Sequence, residues 1–485
     1  MVLALVVPLV GALLIVLTGS RPNLREAVTL VTACSLFALV ASIFPVVMAG
    51  GRPTVSLVEM FPGIRFALTA EPLGMAFAGV ASLLWIVTSI YSIGYMRGHH
   101  EQNQTRFYAF FAIALATTMG VAFSGNMLTL FTCYEALSVS TFPLVTHHGT
   151  EEAKRAGRTY LGILLGTSIG FLLLGVGATW VITGTTDFTD GGILAGKTSE
   201  GMIGVLLALY VFGIGKAAVM PVHRWLPAAM VAPTPVSALL HAVAVVKAGV
   251  FSILKVVIYI FGVDLLANTT TSGWMVYAAG FTIIAASIVA LRQDNLKRRL
   301  AYSTISQLSY VVIGAAILAP LSIVGATMHI VAHAFGKITL FFAAGSILVA
   351  SHKTEVSQLD GIGWRMPWTM GAFAVASLSM IGVPPTAGFI SKWYILEGAL
   401  QADKMVAVAV IVASTLLNAG YFLPIVYAAF FRKPAATGNP HDHEHGEGPL
   451  FSVVALTATA AVTVILFFYP DVPLGLARQL MGSLQ

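Results

Sequence analysis

Residues 213–251 read GIGKAAVMPVHRWLPAAMVAPTPVSALLHAVAVVKAGVF, an apolar stretch that contains two lysines, Lys216 and Lys247. A proline inside a helix removes a backbone hydrogen bond and kinks or breaks the helix. Pro221 and Pro227 therefore predict a broken helix, with a second helix after it. A charged side chain at bilayer depth costs at least about 2.5–3.5 kcal/mol. Lysines in such positions are predicted to serve a function, and buried lysines can act as proton carriers.

The composition of the whole chain indicates a membrane protein. Of its 485 residues, 57% are hydrophobic and only 9% are charged, whereas a soluble domain usually carries about 25% charged residues. A membrane-spanning helix needs roughly 20 apolar residues, and the sequence contains about fourteen such runs. The first run lacks a basic segment before it, which favours a first span over a signal peptide. The sequence predicts an all-α polytopic membrane protein with about 14 transmembrane helices.

The basic residues predict the orientation of these helices. The chain has 26 lysines and arginines. Sixteen fall in loops on one side of the predicted membrane spans, five fall in loops on the other side, and the remaining five lie within apolar runs. Because cytoplasmic loops are enriched in Lys and Arg, the N-terminus is predicted to lie outside a bacterial or archaeal cell membrane. The net charge of +6 therefore gives no indication of nucleic acid as a partner; the lipid bilayer is the predicted environment.

A second apolar segment has the same kind of interruption. Residues 378–400 read LSMIGVPPTAGFISKWYILEGAL, and Gly382, Pro384 and Pro385 predict an unwound centre close to Lys392. In the predicted order of spans, the two breaks fall in helices seven and twelve. Paired broken helices suggest inverted repeats with the ion site at the breaks, although prolines are also common in ordinary membrane helices.

We expect a single membrane domain with no soluble module. The predicted segments are helices 1–3, a first five-helix repeat, a second five-helix repeat, and a last helix with the C-terminal tail, at 1–105, 106–260, 272–431 and 450–485.

One carboxylate is placed like the lysines. Glu135 lies within NMLTLFTCYEALSVSTFPLV, residues 126–145. If Glu135 pairs with a lysine that can move, its affinity for a proton depends on whether the lysine is close to it. The alternative is a static ion pair with a structural role.

The helix MHIVAHAFGKITLFF carries a polar stripe. His329, His333 and Lys337 are spaced i, i+4, i+8, which places them on one helical face over about 12 Å of rise. Histidine can accept a proton at one ring nitrogen and donate one at the other, so the stripe suggests part of a water-linked proton path. The alternatives are a pair of core histidines or a metal site, and the HExxH glutamate of zinc proteases is missing.

The span after the first break carries two further candidates. His241 precedes Lys247 on this helix and is predicted to join the path. Lys255 lies nearer the helix end, where its long side chain is expected to reach the membrane interface. Glu71 is expected to be a solvated interfacial carboxylate.

Motifs for other chemistry are missing from the sequence. It has no nucleotide-binding glycine loop, CxxC cluster, haem motif or serine-type elbow, so we expect no cofactor, no catalytic site and no resident metal. The tract HDHEH, residues 441–445, lies in a Gly/Pro/Asn-rich loop. It is expected to be a solvated loop, and metal chelation is the alternative.

Five segments resemble the antiporter-like membrane subunits shared by respiratory complex I, Mrp-type cation/proton antiporters and membrane-bound hydrogenases. The resemblance covers roughly residues 70–430. The segments that carry it are NMLTLFTCYEALSVSTFPLV, KAAVMPVHRWLPAAMVAPTPVSALLHAVAVVKAG, LKRRLAYSTISQLSY, HIVAHAFGKITLFF and GVPPTAGFISKWYI.

This resemblance implies about fourteen helices with two inverted five-helix repeats. It also implies a pair between Glu135 and Lys216, a connecting Lys247 and a terminal Lys392, with the histidines and lysine of the polar stripe between them. Protons would enter from the cytoplasm, move along a hydrated polar axis and leave outside near Lys392.

The resemblance leaves the particular complex open. The chain length favours the D-type member of the Mrp subunits, which predicts a proton-translocating subunit of a multi-subunit cation/proton antiporter with other membrane subunits as partners. Protons are the expected substrate, with Na⁺ or K⁺ as candidates for the coupled cation. The main alternative is a proton-pumping subunit of a complex I-like or hydrogenase redox complex. A scaffold subunit and a quinone-reactive enzyme are weaker alternatives.

Overall fold

A computed structural model describes residues 1–61, 63–433 and 446–482 of the chain. Within these ranges, eleven helical stretches are long and apolar enough to cross a membrane, and three shorter apolar helices accompany them. The helices form because a backbone in lipid must satisfy its hydrogen bonds internally. The prediction of an all-α polytopic membrane protein is confirmed.

The helices are distributed along the whole of the described chain. In chain order they are α1 Val2–Leu17, α2 Pro22–Met48, α3 Pro72–Gly98, α4 Gln104–Ala122, α5 Met127–Val145, α6 Glu151–Thr167, α7 Leu173–Thr183, α8 Glu200–Gly213, α9 Trp225–Ala228, α10 Thr234–Ala238, α11 Val245–Val256, α12 Val263–Ala267, α13 Trp274–Arg292, α14 Leu296–Ile317, α15 Pro320–Ser351, α16 Pro367–Ile381, α17 Ala387–Gln401, α18 Met405–Phe431, α19 Leu450–Phe468 and α20 Asp471–Gly482.

A β-hairpin lies between α2 and α3, although the sequence predicted helices alone. Strand β1, Thr54–Phe61, pairs antiparallel with β2, Ile64–Thr69, and Thr54 lies opposite Thr69. The alternation of apolar and polar residues in β1 is the local signal for a strand. The hairpin adds a small sheet on the side of the molecule that the basic residues predict to be outside.

Both predicted helix breaks are present. Helix α8 ends at Gly213 and is followed by the short 3₁₀ segment Gly215–Ala217, which contains Lys216. Helix α16 ends at Ile381 with Gly382 in the left-handed region at φ 92°, and α17 begins at Ala387. These interruptions free backbone groups near the middle of the molecule, where side chains can reach them.

The stretch Thr234–Phe261 forms the centre of the molecule, because it is buried from end to end. It contains two π-helical segments, Leu239–Val243 and Val257–Phe261, on either side of α11. Such π segments are rare and frequently occur at functional sites. Helix α15 packs alongside, so the two helices with most of the predicted polar residues are in contact. The inverted relationship of the two repeats stays a prediction.

Candidate functional site

Lys216 is buried at the first helix break and is bound to helix α5. Its Nζ donates to the backbone oxygen of Tyr134 at 2.7 Å and to Oγ of Ser138 at 2.6 Å. The same ammonium lies 3.1 Å from the centre of the Tyr134 ring, and its own backbone N–H donates to the Tyr134 hydroxyl at 2.9 Å. The break thus places a cation in a cage built by one turn of α5.

Glu135 makes no direct ion pair with Lys216 in this structure, which corrects the predicted pairing geometry. Both carboxylate oxygens are buried and have no hydrogen-bond partner among the described residues. The hydroxyl of Ser168 lies beside the carboxylate but donates to Leu164 at 2.8 Å. The charges of Glu135 and Lys216 still act on each other.

Lys247 contacts the polar stripe of α15 directly. Its Nζ lies 2.6 Å from Nδ1 of His333, and both side chains are buried. The next histidine of the stripe, His329, has its ring centre 5.9 Å from that of His333. A lysine and a histidine at this distance can share a proton, because imidazole both accepts and donates.

The stripe continues to the second helix break. Nδ1 of His329 lies 2.8 Å from Oγ of Ser391, the residue before Lys392. Nζ of Lys392 donates to the backbone oxygens of Met380 at 2.7 Å and Ile381 at 3.1 Å. These carbonyls belong to the end of α16, so the break supplies the acceptors for the lysine, as broken membrane helices commonly do for cations.

Lys337 lies on a branch of the same stripe. Its Nζ donates to Oγ of Ser303 at 2.8 Å, and the same oxygen accepts from the Tyr421 hydroxyl at 3.1 Å. Oδ1 of Asn418 is a second acceptor for the single proton of that hydroxyl, and Nδ2 of Asn418 donates to the backbone oxygen of Met380 at 3.4 Å. Polar contacts thus connect Lys337 on α15 to the Met380 carbonyl on α16, which holds Lys392, through side chains of α14 and α18.

His241 is buried with both ring nitrogens unpaired among the described residues. It lies in the π segment before α11, and its ring centre is 4.7 Å from that of Phe341. The charges of Lys337 and Lys297 both act on it. A buried polar group without a partner is uncommon and needs an explanation. Its position between Lys297 near the start of α14 and the core lysine Lys337 fits a group that transfers protons.

Lys255 is buried, whereas the sequence predicted a side chain that extends freely to the membrane interface. Its side chain is buried, lies 3.3 Å from Oε1 of Glu71 and donates to the backbone oxygen of Ser124 at 2.6 Å. Glu71 is also buried and accepts from Leu73 and Gly74 at the start of α3, both at 2.9 Å. Tertiary packing against α3 closes over the lysine, a contact that local sequence does not report.

The residues that the structure describes contain no group of three His, Cys, Asp or Glu arranged to hold a metal ion. In the histidine pair of α15, the Nδ1 atoms already contact Lys247 and Ser391. The tract HDHEH, residues 441–445, lies outside the described residues.

Sequence analysis missed several residues that complete the site. Ser303 and Gln307 are four residues apart on α14, and Asn418 and Tyr421 are three apart on α18. Polar residues at these spacings share one face of a helix, which is the signal that would have identified them. Gln307 donates to the carbonyl of Met380 at 3.1 Å, so both helices contribute to the second break.

These features define an integral, multi-pass membrane protein with a buried chain of cationic and polar side chains between two broken helices. The chain belongs to the family described as "NADH:quinone oxidoreductase/Mrp antiporter, TM", whose model matches residues 124–418. The matched region contains every residue of the predicted site.

Individual relatives agree with this assignment. The chain is 34% identical over 418 residues to NADH-quinone oxidoreductase subunit N of Desulforudis audaxviator (strain MP104C), covering 85% of this chain and 82% of the relative. It is 32% identical to the A/B component of a probable K(+)/H(+) antiporter from Rhizobium meliloti (strain 1021), covering 84% of this chain but only 41% of that relative. The chain therefore spans less than half of the second relative.

The fold also matches a solved structure. The structure of the Mrp complex from Dietzia sp. DQ12-45-1b contains a chain that superposes with a TM-score of 0.88 at 21% sequence identity, covering 99% of this chain and 96% of the other. At this identity the likeness concerns the fold.

Proposed function

We propose that this chain is the proton-translocating membrane subunit of a multi-subunit cation/proton antiporter. The observation that carries the proposal is the 2.6 Å contact between Lys247 and His333, because it joins the central lysine to a polar stripe that contacts Ser391, the residue before Lys392. Burial of several lysines is costly, and a chain of exchangeable protons accounts for that cost.

The proposed route begins on the side with most of the basic residues, which is taken as the cytoplasm. Protons reach Lys247, move to His333 and His329, and leave on the other side after reaching Lys392. Buried nitrogens without a protein partner, such as Nε2 of His329 and His333, are positions where water can complete the path.

Glu135 and Lys216 are proposed to control this transfer. In the present geometry Lys216 is held by Tyr134 and Ser138. If Lys216 turned toward Glu135, it would neutralise the buried carboxylate and change the field at Lys247. Two settings of one lysine thus provide the switch that a directional proton transfer needs.

A specific comparison favours a second candidate function. The relative from Desulforudis audaxviator is covered over 82% of its length and is named as a subunit of an NADH-quinone oxidoreductase. The same residues would then translocate protons in a redox-driven complex, with electron-transfer subunits as partners. Other membrane subunits are partners in both candidate functions. A coupled cation, Na⁺ or K⁺, is expected only for the cation/proton antiporter.

Purification through an affinity tag on this chain tests both candidates. Co-purified subunits with iron–sulfur clusters would favour the redox complex, and further antiporter-type membrane subunits would favour the exchanger.

The complex is then reconstituted into vesicles, and proton flux is followed with a pH-sensitive dye. Lys247→Ala and Glu135→Ala should abolish proton flux in assembled complex, while Lys404→Ala, at an exposed position, should not. Wild-type flux in both buried-site variants would refute translocation by this chain.

A further inference from the structure

A buried ion pair lies outside the proposed proton route. Glu71 and Lys255 approach to 3.3 Å with both side chains almost fully buried. The hydroxyl of Tyr259 donates to the other carboxylate oxygen of Glu71 at 2.9 Å. Neither the central lysines nor the polar stripe of α15 hydrogen-bonds to this group, and the proposed route does not use it.

The carboxylate of Glu71 is held in place by several hydrogen-bond donors. It accepts hydrogen bonds from two backbone N–H groups at the start of α3 and one from Tyr259. Hydrogen bonds to the charged form and the positive end of a helix both stabilise a carboxylate. These donors fix the orientation of the carboxylate, and its Oε1 faces the positive charge of Lys255.

The ammonium of Lys255 is held in place by oxygen atoms. Its ammonium contacts Oε1 of Glu71 and the backbone oxygen of Ser124, and lies 4.5 Å from the centre of the Phe188 ring. A carboxylate oxygen and a backbone carbonyl are hard oxygen ligands of the kind that alkali cations also bind. The ammonium thus lies beside two oxygen atoms, and backbone carbonyl oxygens are also ligands of Na⁺ in membrane transporters.

The ion pair is next to an accessible cavity. A cavity of about 590 Å³ is lined by Glu71, Lys255 and Tyr259 on one side and by hairpin residues such as Thr54 and Ser56 on the other. The hairpin residues are exposed, so the cavity connects the ion pair to the surface predicted to be outside. Ions from that side can reach Glu71 without crossing the membrane.

We propose that Glu71 is a binding site for a monovalent alkali cation, for which the cation competes with the protonated amine of Lys255. When the cation binds Glu71, the Lys255 ammonium releases one proton to the cavity and becomes a neutral amine. The total charge of the site is unchanged, because one positive charge replaces another. One proton is exchanged for one cation at a single carboxylate.

Both acidic and basic side chains surround the site, and their charges influence the exchange of the proton for the cation. Beyond Glu71, Lys255 and Tyr259, the charged groups that line the cavity are Arg52, Glu59, Arg65 and Asp187, and Asp190 is ion-paired with Arg52 at 2.7 Å. The basic side chains limit the affinity for a second cation, which favours a single site.

Equilibrium binding of ²²Na⁺ and ⁸⁶Rb⁺ to the tag-purified complex tests the proposal. The tracer that binds should do so more tightly as pH rises, by up to about tenfold per pH unit while Lys255 is protonated, because one proton leaves for each cation bound. Lys255→Arg keeps the positive charge but cannot release it, so tracer binding at this site should be lost. Glu71→Gln should lose it as well, and Lys255→Met should make it independent of pH.

The design separates this site from the proton route. Lys247→Met should stop proton flux and leave tracer binding at the wild-type level, so failure of one proposal does not imply failure of the other. Wild-type tracer binding in Lys255→Arg or Glu71→Gln would show that the ion pair is only a structural link between α3 and α11. If Lys255→Arg does not assemble, Lys255→Met is compared with the Lys255→Met, Glu71→Gln double variant. Equal tracer binding by these two would overturn the proposal.

Discussion

Nζ of Lys247 and Nδ1 of His333 lie 2.6 Å apart across the interface between α11 and α15. Neither side chain is accessible to solvent to any useful extent. Two nitrogen atoms this close cannot both carry a proton toward each other, so one must accept while the other donates. One proton therefore lies between the two nitrogen atoms. Such a contact is a condition for proton transfer from one residue to the other.

Replacing Lys247 by arginine tests whether that proton must be released. Arginine remains protonated under all ordinary conditions, so Lys247→Arg keeps the buried charge and removes the exchange. We expect proton flux in reconstituted vesicles to fall at least about tenfold, while the complex still assembles. The equivalent exchange at Lys404, which is exposed, should leave the flux unchanged.

A substitution of His333 tests the other side of the same contact. His333→Gln keeps a polar group near Lys247 but removes the titrating ring, and it should reduce flux as strongly as the lysine variant. A normal flux in His333→Gln would mean that protons bypass the stripe of α15.

Ser303 is predicted to be the residue that holds Lys337 in place. Its hydroxyl contacts both Lys337 and Tyr421. Ser303→Ala leaves the buried ammonium of Lys337 without this acceptor, while the Tyr421 hydroxyl keeps Asn418 as a partner. Loss of a buried partner typically costs about 1–3 kcal/mol. We expect a lower thermal unfolding midpoint for the solubilised complex and a proton flux reduced about tenfold.

Ser309 provides the matched control on the same helix. Its hydroxyl is buried and has no hydrogen-bond partner in the described chain, so Ser309→Ala removes a group that contributes nothing. Equal losses in the two variants would show that the effect comes from helix packing rather than from the contact with Lys337.

The sequence predicted the helix breaks and the central lysines because both depend on local pattern. Proline and glycine interrupt apolar runs at defined positions, and lysine is conspicuous in such a run. Lys216 and Lys392 are accordingly found at the two breaks, each bound to backbone oxygens.

The remaining features depend on residues far apart in the chain, which local pattern does not report. Lys255 was expected near the interface because it is close to a helix end, yet Glu71 and Ser124 close around it. Lys216 binds Tyr134 and Ser138 instead of Glu135, which depends on how α5 packs against the break. Both outcomes require knowledge of how the helices pack.

Gly388 should be intolerant of any side chain. A Cβ atom there would lie 1.8 Å from the backbone oxygen of Ser379, so Gly388→Ala must push α17 away from α16. That displacement would also move Lys392 from the carbonyls that hold it. We expect a clearly lower thermal unfolding midpoint together with reduced proton flux.

Gly371 on α16 offers the corresponding control, because a Cβ there meets nothing within 4 Å. Gly371→Ala should be neutral or stabilising by up to about 1 kcal/mol, since alanine favours helix more than glycine does. If both variants unfold at the wild-type temperature, the close packing of the two half-helices is not required for stability.

His147 is predicted to make the loop after α5 sensitive to acid. Burial, followed by the charges of Arg106 and His148, lowers the pKa of His147 from 6.5 to about 4, and its Nε2 lies 3.0 Å from the backbone oxygen of Gln102. Because the folded pKa lies below the unfolded value, the open form binds more protons between these two values. The stability of the loop is therefore present above about pH 6.5 and is lost as pH falls toward 4.

Hydrogen–deuterium exchange of residues 146–150 measures this effect. Between about pH 8 and pH 5, opening of the wild-type loop should become roughly thirtyfold more favourable, or about 2 kcal/mol, after correction for intrinsic exchange. His147→Gln keeps a hydrogen-bond donor but does not titrate, so its opening should depend on pH less than that of the wild type. The remaining dependence comes from His148, whose pKa is also lowered by burial. His100→Asn, at an exposed position, should behave as wild type. A wild-type loop with constant protection down to pH 5 would contradict the assignment of the acid response to His147.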